Sequence, residues 1–194
     1  MSKRPYALKK RAENQEETRA RIVAAAAALH EELGPRLTSI SAIAEKAGVQ
    51  RLTVYRHFPD ETALFAACTG HWLERHPLPD PARWQDSASD EERVLTALTA
   101  LYSYYRGTRR MWLVSHRDVE AVPAMQGPMQ AVADWQRDYA ARLARGPYRT
   151  AAAQATLQHA VQFATWMSLD TLGLDDGEMA DLVLGWLRGS ATPA

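Results

Sequence analysis

The stretch LTSISAIAEKAGVQRLTVYRHFPDETALF, residues 37–65, decides the fold of the N-terminal part of this chain. Ser39 is a good N-cap for a helix with Ile43 on its inward side, and Gly48 ends that helix. A second short helix follows over about residues 50–58. Glycine tolerates the positive φ that a steep crossing between two short helices requires. The stretch therefore predicts a helix-turn-helix arrangement.

The rest of the chain also shows helical periodicity, with no alternating strand pattern. The preceding helix is predicted to begin at Asn14, with Glu17 completing a capping box, and to end at Gly34. A fourth helix opens at Pro59-Asp60, and a proline-rich connection follows at residues 77–88. Further helices are expected at 89–107, 109–120, 128–145, 149–172 and 176–188, with capping boxes at Ser89/Glu92 and Asp175/Glu178.

These patterns predict an all-α protein of two domains. A basic arm and a three-helix helix-turn-helix domain occupy residues 1–60. A helical bundle occupies residues 61–194.

The outer side of the second motif helix is predicted to be free for contact. An α-helix fits the major groove of DNA, and its N-terminal residues reach base edges. The residues expected on that side are Gln50, Arg51, Leu52, Thr53, Tyr55, Arg56 and His57. The alternative is a structural helical hairpin in which Tyr55, His57 and Phe58 are ordinary packing residues.

Charge is unevenly distributed along a chain whose net charge is zero. Residues 1–60 carry eleven Lys/Arg and seven Asp/Glu, whereas residues 61–194 carry twelve and sixteen. A basic N-terminal part followed by an acidic C-terminal part favours binding of the N-terminal part to nucleic-acid phosphates. The alternative is that the basic residues form a solvated tail with no partner. Five basic residues lie within the first eleven positions: Lys3, Arg4, Lys9, Lys10 and Arg11. We hypothesise that this arm contributes to DNA binding.

The helix-turn-helix stretch resembles the DNA-binding region of the TetR family of bacterial regulators. The matching elements are Ile43-Ala44, Ala47-Gly48-Val49 and the run TVYRHF at residues 53–58. The resemblance spans residues 15–70, and several fixed spacings match together. Beyond residue 76 only the length and the all-helical character agree with the family.

The resemblance implies roles on DNA for individual residues. Arg51 and Thr53 would reach bases, with Arg51 as a bidentate donor to guanine O6 and N7. Tyr55 and His57 would hold phosphate, and Arg56 would do either.

Two serines, and two residues that differ from the family pattern, also lie at the expected DNA interface. Ser39 and Ser41 would lie where the N-terminus of the first motif helix approaches the DNA backbone. Leu52 stands where the family often has a smaller residue, and it either packs on a thymine methyl group or shields the turn. Glu61 stands where many members have a lysine, and a carboxylate at that place repels phosphate.

The resemblance also implies a homodimer formed by the last two helices, 149–172 and 176–188, on double-stranded operator DNA. The last helix is apolar on more than one side, which suits a helix that faces both its own domain and a partner. A fully buried helix in a monomer is the alternative. A two-fold dimer would place the recognition helices about 34–36 Å apart, one turn of DNA.

Aromatic residues in the rear half predict a pocket for a small, mostly apolar effector. The residues expected to line it are Tyr102, Tyr105, Trp112, His116, Trp135, Phe163, Trp166 and Met167. Aromatic residues at helical spacing are also typical of an ordinary core.

The function expected is therefore a ligand-responsive transcriptional regulator, a repressor that its effector releases from the operator. Control by a protein partner, and activation instead of repression, remain open. An all-helical enzyme is the rival of a different class, but the chain has no HExxH, Gly-rich phosphate loop, GxSxG or paired CxxC. No catalytic residue, metal or cofactor is expected.

The lone cysteine and the location of the protein are also predicted from the sequence. The place of Cys68 on an apolar helix side favours packing over a redox switch. The chain has no long apolar run and no secretory signal pattern, which predicts a cytoplasmic, nucleoid-associated protein.

Overall fold

The computed structural model describes residues 3–191, and side chains are described for residues 8–190. Within that part the chain is helical and contains no strand, which confirms the all-α prediction. Contacts group the chain into two compact units. The first comprises the described residues up to Pro77 together with Leu113–Pro128, and the second comprises Leu78–Trp112 with the described residues from Met129 onward.

The first unit contains the helix-turn-helix. Its α-helices before Pro77 are α1 at Lys3–Leu33, α2 at Ile40–Ala47, α3 at Arg51–His57 and α4 at Glu61–Arg75. A short 3₁₀ turn at Pro35–Leu37 separates α1 from α2. The apolar sides of all four helices meet in one core, which includes Ile22, Val23, Ala26, Leu29, Ile43, Ala44, Val54, Phe58, Leu64 and Cys68.

The first helix is longer than predicted. The start predicted at Asn14 is wrong, because α1 runs unbroken from Lys3. Asn14 lies inside the helix, where its carbonyl oxygen accepts a hydrogen bond from the Thr18 hydroxyl at 2.8 Å. The basic N-terminal stretch is therefore part of α1, although the side chains of Lys3 and Arg4 lie outside the described residues.

The second unit is built around α5 to α9. These helices are α5 at Asp90–Asp118, α6 at Gln126–Leu143, α7 at Ala151–Ala160, α8 at Phe163–Asp170 and α9 at Asp176–Ala191. Short 3₁₀ turns of this unit lie at Pro81–Arg83 and Gly146–Arg149, and a third, Pro123–Met125, lies in the part of the chain that belongs to the first unit. The core of this unit includes Trp84, Leu98, Leu101, Tyr102, Tyr105, Tyr139, Leu157, Phe163, Trp166 and Val183.

Two helix boundaries predicted for this half are wrong. The helix break predicted at Gly107 does not occur, because α5 continues through it. A glycine inside a helix costs only about 1 kcal/mol, which packing of the surrounding helix outweighs. The single helix predicted over 149–172 is divided at Val161-Gln162 into α7 and α8.

The capping box predicted for α9 is confirmed, whereas in the one predicted for α5 the Glu92 carboxylate accepts from the Ala88 N–H instead of from the N–H of the N-cap Ser89. The Ser89 hydroxyl accepts a hydrogen bond from the Glu92 N–H at 3.1 Å, and the Glu92 carboxylate accepts one from the Ala88 N–H at 2.8 Å. Asp175 and Glu178 each accept a hydrogen bond from the backbone N–H of the other at 2.9 Å. These contacts satisfy backbone donors that have no partner inside the helix, and so fix where α5 and α9 begin.

The division into units falls later in the chain than the predicted domain boundary between residues 60 and 61. The reason is that α4 contributes Leu64 and Cys68 to the core of the first unit, which therefore extends to Pro77. As a boundary between functions, the division after residue 60 stays a prediction. No helix in the described range is both long and apolar enough to cross a membrane.

Candidate nucleic-acid interface

The turn between α2 and α3 has the geometry that the sequence predicts. The Ser39 hydroxyl caps α2 by accepting a hydrogen bond from the Ala42 N–H at 3.1 Å. At the other end Gly48 has φ 64° and ψ 40°, the left-handed conformation that glycine adopts without steric cost. The Val49 N–H then donates to the Ala44 carbonyl at 2.9 Å. These bonds close the turn and set the angle at which α3 leaves it.

The recognition helix α3 has one buried side and one exposed side. Val54 is 1% exposed and Phe58, which follows the helix as its C-cap, is 3% exposed. Both residues pack into the core of the first unit. The exposed side consists of Gln50 at the N-cap and Arg51, Leu52, Tyr55 and Arg56 in the helix. The structure thus brings five of the residues predicted for DNA contact onto one surface.

Two further residues predicted to contact DNA are half-buried and not fully exposed to solvent. Thr53 and His57 lie on the flank of α3, between its buried and exposed sides. Ser39 and Ser41 are both exposed at the N-terminus of α2. The Ser39 hydroxyl already accepts the capping bond, so it has only its proton left to donate to a phosphate.

Arg51 and Tyr55 contact each other across one turn of α3. Arg51 Nη2 donates a hydrogen bond to the Tyr55 hydroxyl at 3.1 Å, and the guanidinium carbon lies 5.6 Å from the centroid of the Tyr55 ring. Residues four apart are neighbours on a helix surface, so this contact follows from the spacing in the sequence. The contact holds the Arg51 guanidinium beside the Tyr55 hydroxyl on the exposed side of α3. The guanidinium keeps several N–H donors that are not used in this hydrogen bond.

The two departures from the family pattern have structural explanations of different kinds. Leu52 is 67% exposed and therefore does not shield the turn. Asp60 caps α4 by accepting a hydrogen bond from the Ala63 N–H at 2.7 Å, and Glu61 is the first residue of α4. Carboxylates at a helix N-terminus are stabilised by the helix dipole, which accounts for Glu61 without any contact to DNA.

Three cationic residues near the motif were not among the predicted contacts. Arg21 Nη1 donates to the Ala47 carbonyl at 3.3 Å, beside the turn. Lys46, near the end of α2, lies 3.8 Å from the Glu32 carboxylate. The Arg19 guanidinium lies 5.1 Å over the Phe58 ring. The helical spacing places Arg19 and Arg21 beside the buried side of α1, but it does not predict the contacts that they make with Phe58 and Ala47.

The segment that forms this motif matches a known family. Residues 22–68 match the model described as bacterial regulatory proteins, tetR family. Residues 22–68 are therefore a segment of the tetR-family type. The proteins that this model describes are regulators, which agrees with the motif geometry of the segment.

Solved structures of TetR-type regulators share the fold over most of the chain. A TetR-like transcriptional regulator from Rhodococcus sp. RHA1 is 22% identical, over 91% of this chain and 97% of that one, with a TM-score of 0.62. NalD, the secondary repressor of the MexAB-OprM multidrug efflux pump in Pseudomonas aeruginosa, is also 22% identical, over 91% and 96%, with a TM-score of 0.57. At these identities the likeness shows the fold alone. None of the curated proteins is a significant match.

Five of the residues predicted to line an effector pocket form one aromatic cluster in the second unit. They are Tyr102, Tyr105, Trp112, Phe163 and Trp166, all buried. Trp112 stacks on Phe163 with ring centroids 5.5 Å apart, and Phe163 stacks on Trp166 at 5.4 Å. Burial raises the pKa of both tyrosine hydroxyls in this cluster, so they remain protonated donors.

The hydroxyls of the cluster hold the break between α7 and α8. The Tyr102 hydroxyl donates to the Ala160 carbonyl at 3.0 Å, and the Tyr105 hydroxyl donates to the Val161 carbonyl at 2.7 Å. Gln136 Nε2 donates in turn to the Tyr105 hydroxyl at 2.8 Å. This buried network explains why one apolar helix pattern folds as two helices, because side chains satisfy the carbonyls freed at the break.

The remaining predicted pocket residues lie in different surroundings. Trp135 and Met167 are half-buried and pack against the core of the second unit. His116 is exposed and belongs to the first unit, so the structure does not group it with the aromatic cluster.

Cys68 is a buried packing residue of the first unit. It is 3% exposed, and its Sγ lies 3.4 Å from His30 Nδ1. Burial raises the pKa of the Cys68 thiol to about 12, so the reactive thiolate is absent at neutral pH. These observations support the packing interpretation over the redox switch.

Proposed function

We propose that this protein is a ligand-responsive repressor of the TetR family that binds double-stranded operator DNA through α3. The observation that carries the proposal is the exposed side of α3, where Arg51, Tyr55 and Arg56 lie together while Val54 anchors the opposite side in the core. The capped and closed turn at Gly48 holds this side at a fixed angle to α2. A rigid helix with an exposed cationic side suits the major groove.

The residues on this surface divide into base readers and phosphate contacts. Arg51, in the first turn of α3, is the base reader, and a bidentate contact to guanine is typically worth about 1–3 kcal/mol of discrimination. Thr53 assists it from the flank. Tyr55 and His57 hold phosphate, and they position the helix without specifying sequence. Ser39 and Ser41 add contacts at the N-terminus of α2.

The proposed regulator is a homodimer that pairs through the last two predicted helices, which the structure forms as α7, α8 and α9. On α9, Leu182 and Trp186 are four residues apart and remain 39% and 38% exposed, while Val183 and Leu187 on the other side are buried. A helix with a buried apolar side and a second, exposed apolar side favours a partner surface. The two-fold symmetry of such a dimer matches a palindromic operator.

The proposed effector site is the aromatic cluster of the second unit. The Trp166 indole nitrogen is buried and has no hydrogen-bond partner among the described residues. A buried N–H without a partner costs free energy that a ligand acceptor would recover. We therefore expect a mostly apolar effector with one hydrogen-bond acceptor.

A gel-shift titration tests DNA binding. The wild-type protein should bind DNA from upstream of its own gene at least tenfold more tightly than a scrambled duplex of equal length, and Arg51→Ala should lose most of this preference. Equal affinity for both duplexes would contradict the proposal.

A thermal-shift screen tests the effector. Apolar molecules with one acceptor should raise the melting temperature of the wild type, and the stabilisation should fall in Trp166→Phe, which removes the unpaired donor. A screen in which no small molecule stabilises the protein would favour control by a protein partner instead.

A further inference from the structure

A buried carboxylate ends α5, in the part of that helix that belongs to the first unit. Asp118, the last residue of α5, is 1% exposed. A buried charge is costly unless it is paired and hydrogen-bonded. The carboxylate accepts hydrogen bonds from Arg117 Nε at 2.7 Å, from Arg117 Nη2 at 2.9 Å and from the Arg36 backbone N–H at 3.1 Å. These donors, Arg117 first, lower the pKa of Asp118, so the group is ionised at neutral pH.

The same two neighbouring side chains hold the end of α1. Arg117 Nη2 also donates to the Leu33 carbonyl, the last of α1, at 2.9 Å. Gly34 follows with φ of 91°, and a Cβ at this position would collide with the Arg117 guanidinium and the Asp118 carboxylate. Glycine is therefore required both by the backbone conformation and by the close approach of α5. We call Arg117 and Asp118 the α5 clamp.

The segment that the clamp holds leads directly into α2. Arg36 is the middle residue of the 3₁₀ turn that separates α1 from α2. The Thr38 hydroxyl donates to the Gly34 carbonyl at 2.9 Å, which closes this turn. Ser39, the N-cap of α2, is the next residue. Because only two residues lie between the N–H that Asp118 holds and the cap, the clamp fixes where α2 begins.

Asp118 cannot itself bind DNA. It is buried, and it carries the charge that phosphate repels. Any support that this side chain gives to DNA binding must therefore come from the backbone that it holds in place.

We infer that Asp118 is a positioning residue for DNA binding, because it sets the N-terminus of α2 at which Ser39 and Ser41 are proposed to meet phosphate. The inference rests on the proposed function, since α2 must approach the DNA backbone for its position to matter. It makes the last turn of α5 a part of the DNA-binding machinery, although this turn lies far from the helix-turn-helix in the sequence.

Operator binding by the full-length protein tests the inference, with Glu120→Ala as the matched control for Asp118→Ala. Glu120 is exposed and lies two residues away, so its variant makes the same change in net charge. Loss of an acidic charge by itself favours DNA binding, so Glu120→Ala should bind the upstream duplex as tightly as the wild type or slightly more tightly. Asp118→Ala should bind about tenfold more weakly, the size of one hydrogen bond to a charged group.

The conservative variant Asp118→Asn should recover part of this loss. Asparagine keeps one acceptor oxygen for the Arg36 N–H but cannot accept from all the donors that the carboxylate binds. If Asp118→Ala does not fold, Asp118→Asn carries the test, with a smaller loss in the same direction relative to Glu120→Ala.

Salt dependence and stability distinguish positioning from other roles. The groups at the N-terminus of α2 are neutral hydroxyls and N–H groups, so the slope of log K against log salt should stay at its wild-type value in Asp118→Ala. A purely structural role would lower the melting temperature and leave the affinity of the folded protein unchanged. Affinity is therefore measured well below the melting temperature of each variant.

A double-mutant cycle locates the effect at α2. Ser41→Ala should weaken binding in the wild type, and it should cost less in Asp118→Ala, where a displaced α2 no longer presents Ser41 to phosphate. Arg51→Ala is the matched reference, because it removes a contact from α3. Its loss should be the same with and without Asp118.

The outcomes separate the clamp from α3. Wild-type affinity in folded Asp118→Ala and Asp118→Asn overturns the inference, and so does an equal loss in Glu120→Ala or strict additivity with Ser41→Ala. If Arg51→Ala weakens binding in that experiment, DNA reading by α3 stands without the clamp. If the wild type binds the upstream duplex no more tightly than a scrambled one, the proposed function falls, and the inference falls with it.

Discussion

Arg51 and Tyr55 are hydrogen-bonded to each other on the exposed side of α3, with Nη2 and the hydroxyl oxygen 3.1 Å apart. The base reader and one of the phosphate contacts proposed for this surface are thus a coupled pair. Holding the guanidinium against the ring limits its rotamers before DNA arrives, which lowers the entropy that binding costs. The pair is consequently a unit whose two members should not act independently.

Tyr55→Phe should weaken operator binding less than Arg51→Ala does. Phenylalanine keeps a ring under the guanidinium and loses a hydroxyl worth about 0.5–1.5 kcal/mol, whereas Arg51→Ala removes a base contact worth about 1–3 kcal/mol. Fluorescence anisotropy on a labelled operator measures both losses. Because the residues are coupled, the double variant should lose less than the sum of the single losses. Strictly additive losses would show that the pair is not a unit.

Gly48→Ala should destabilise the first unit through the backbone alone. A Cβ at this position meets no atom closer than 3.8 Å, but φ of 64° is left-handed and costs a residue other than glycine about 1–2 kcal/mol. Urea unfolding measures the loss. Gly70→Ala is the matched control, because Gly70 lies within α4 with open space around it. Alanine there should raise the free energy of unfolding by at most about 1 kcal/mol. Equal stability of Gly48→Ala and the wild type would contradict the assigned turn.

His30 should make stability depend on pH below neutrality. Its ring is 7% exposed and stacks on Phe65 at 4.8 Å, and burial lowers the pKa of His30 to about 4. In the unfolded chain the pKa of a histidine is about 6.5, so His30 binds a proton more tightly in the unfolded state than in the folded state. The contribution of His30 to the free energy of unfolding is therefore fully present above about pH 6.5 and is lost as the pH falls toward 4. For one proton this loss amounts to about 3 kcal/mol.

The His30→Leu variant isolates that contribution. Denaturant unfolding of the wild type and of His30→Leu between pH 4 and pH 8 should show a shallower pH dependence in the variant. The same pH dependence in both proteins would mean that other groups carry it.

Leu182→Glu/Trp186→Glu should convert the proposed dimer into monomers. Both side chains are about two-fifths exposed in the single chain, so a charge costs little there until a partner buries it. Analytical ultracentrifugation measures the change. Leu113→Glu is the matched control, because Leu113 has the same 38% exposure but lies in the part of α5 that belongs to the first unit. A dimer that survives the double variant would place the interface elsewhere.

Local patterns were enough to predict the helix-turn-helix. Ser39, Gly48 and Asp60 are caps whose chemistry acts within a few residues, and the buried positions Ile43 and Val54 follow from helical periodicity. Local signals of this kind leave few alternatives, so the bounds of α2 and α3 agree closely with the prediction.

The structural features that could not be predicted from the sequence depend on contacts between residues far apart in the chain, or on weak local preferences. The break between α7 and α8 depends on the Tyr102 and Tyr105 hydroxyls, more than fifty residues away in the chain. Gly107 signals a helix end only weakly, and packing outweighs it. The pairing of Arg21 with the Ala47 carbonyl joins two helices and has no local signature.

Footprinting of DNA from upstream of the gene is the most direct test of a dimeric regulator that reads DNA through α3. The wild type should protect two inverted half-sites whose centres lie about 10–10.5 base pairs apart, one turn of the double helix, or a multiple of it. Arg51→Ala should lose this protection at the same protein concentration. Protection that is absent in the wild type, or unchanged in Arg51→Ala, would contradict the proposed DNA reading by α3.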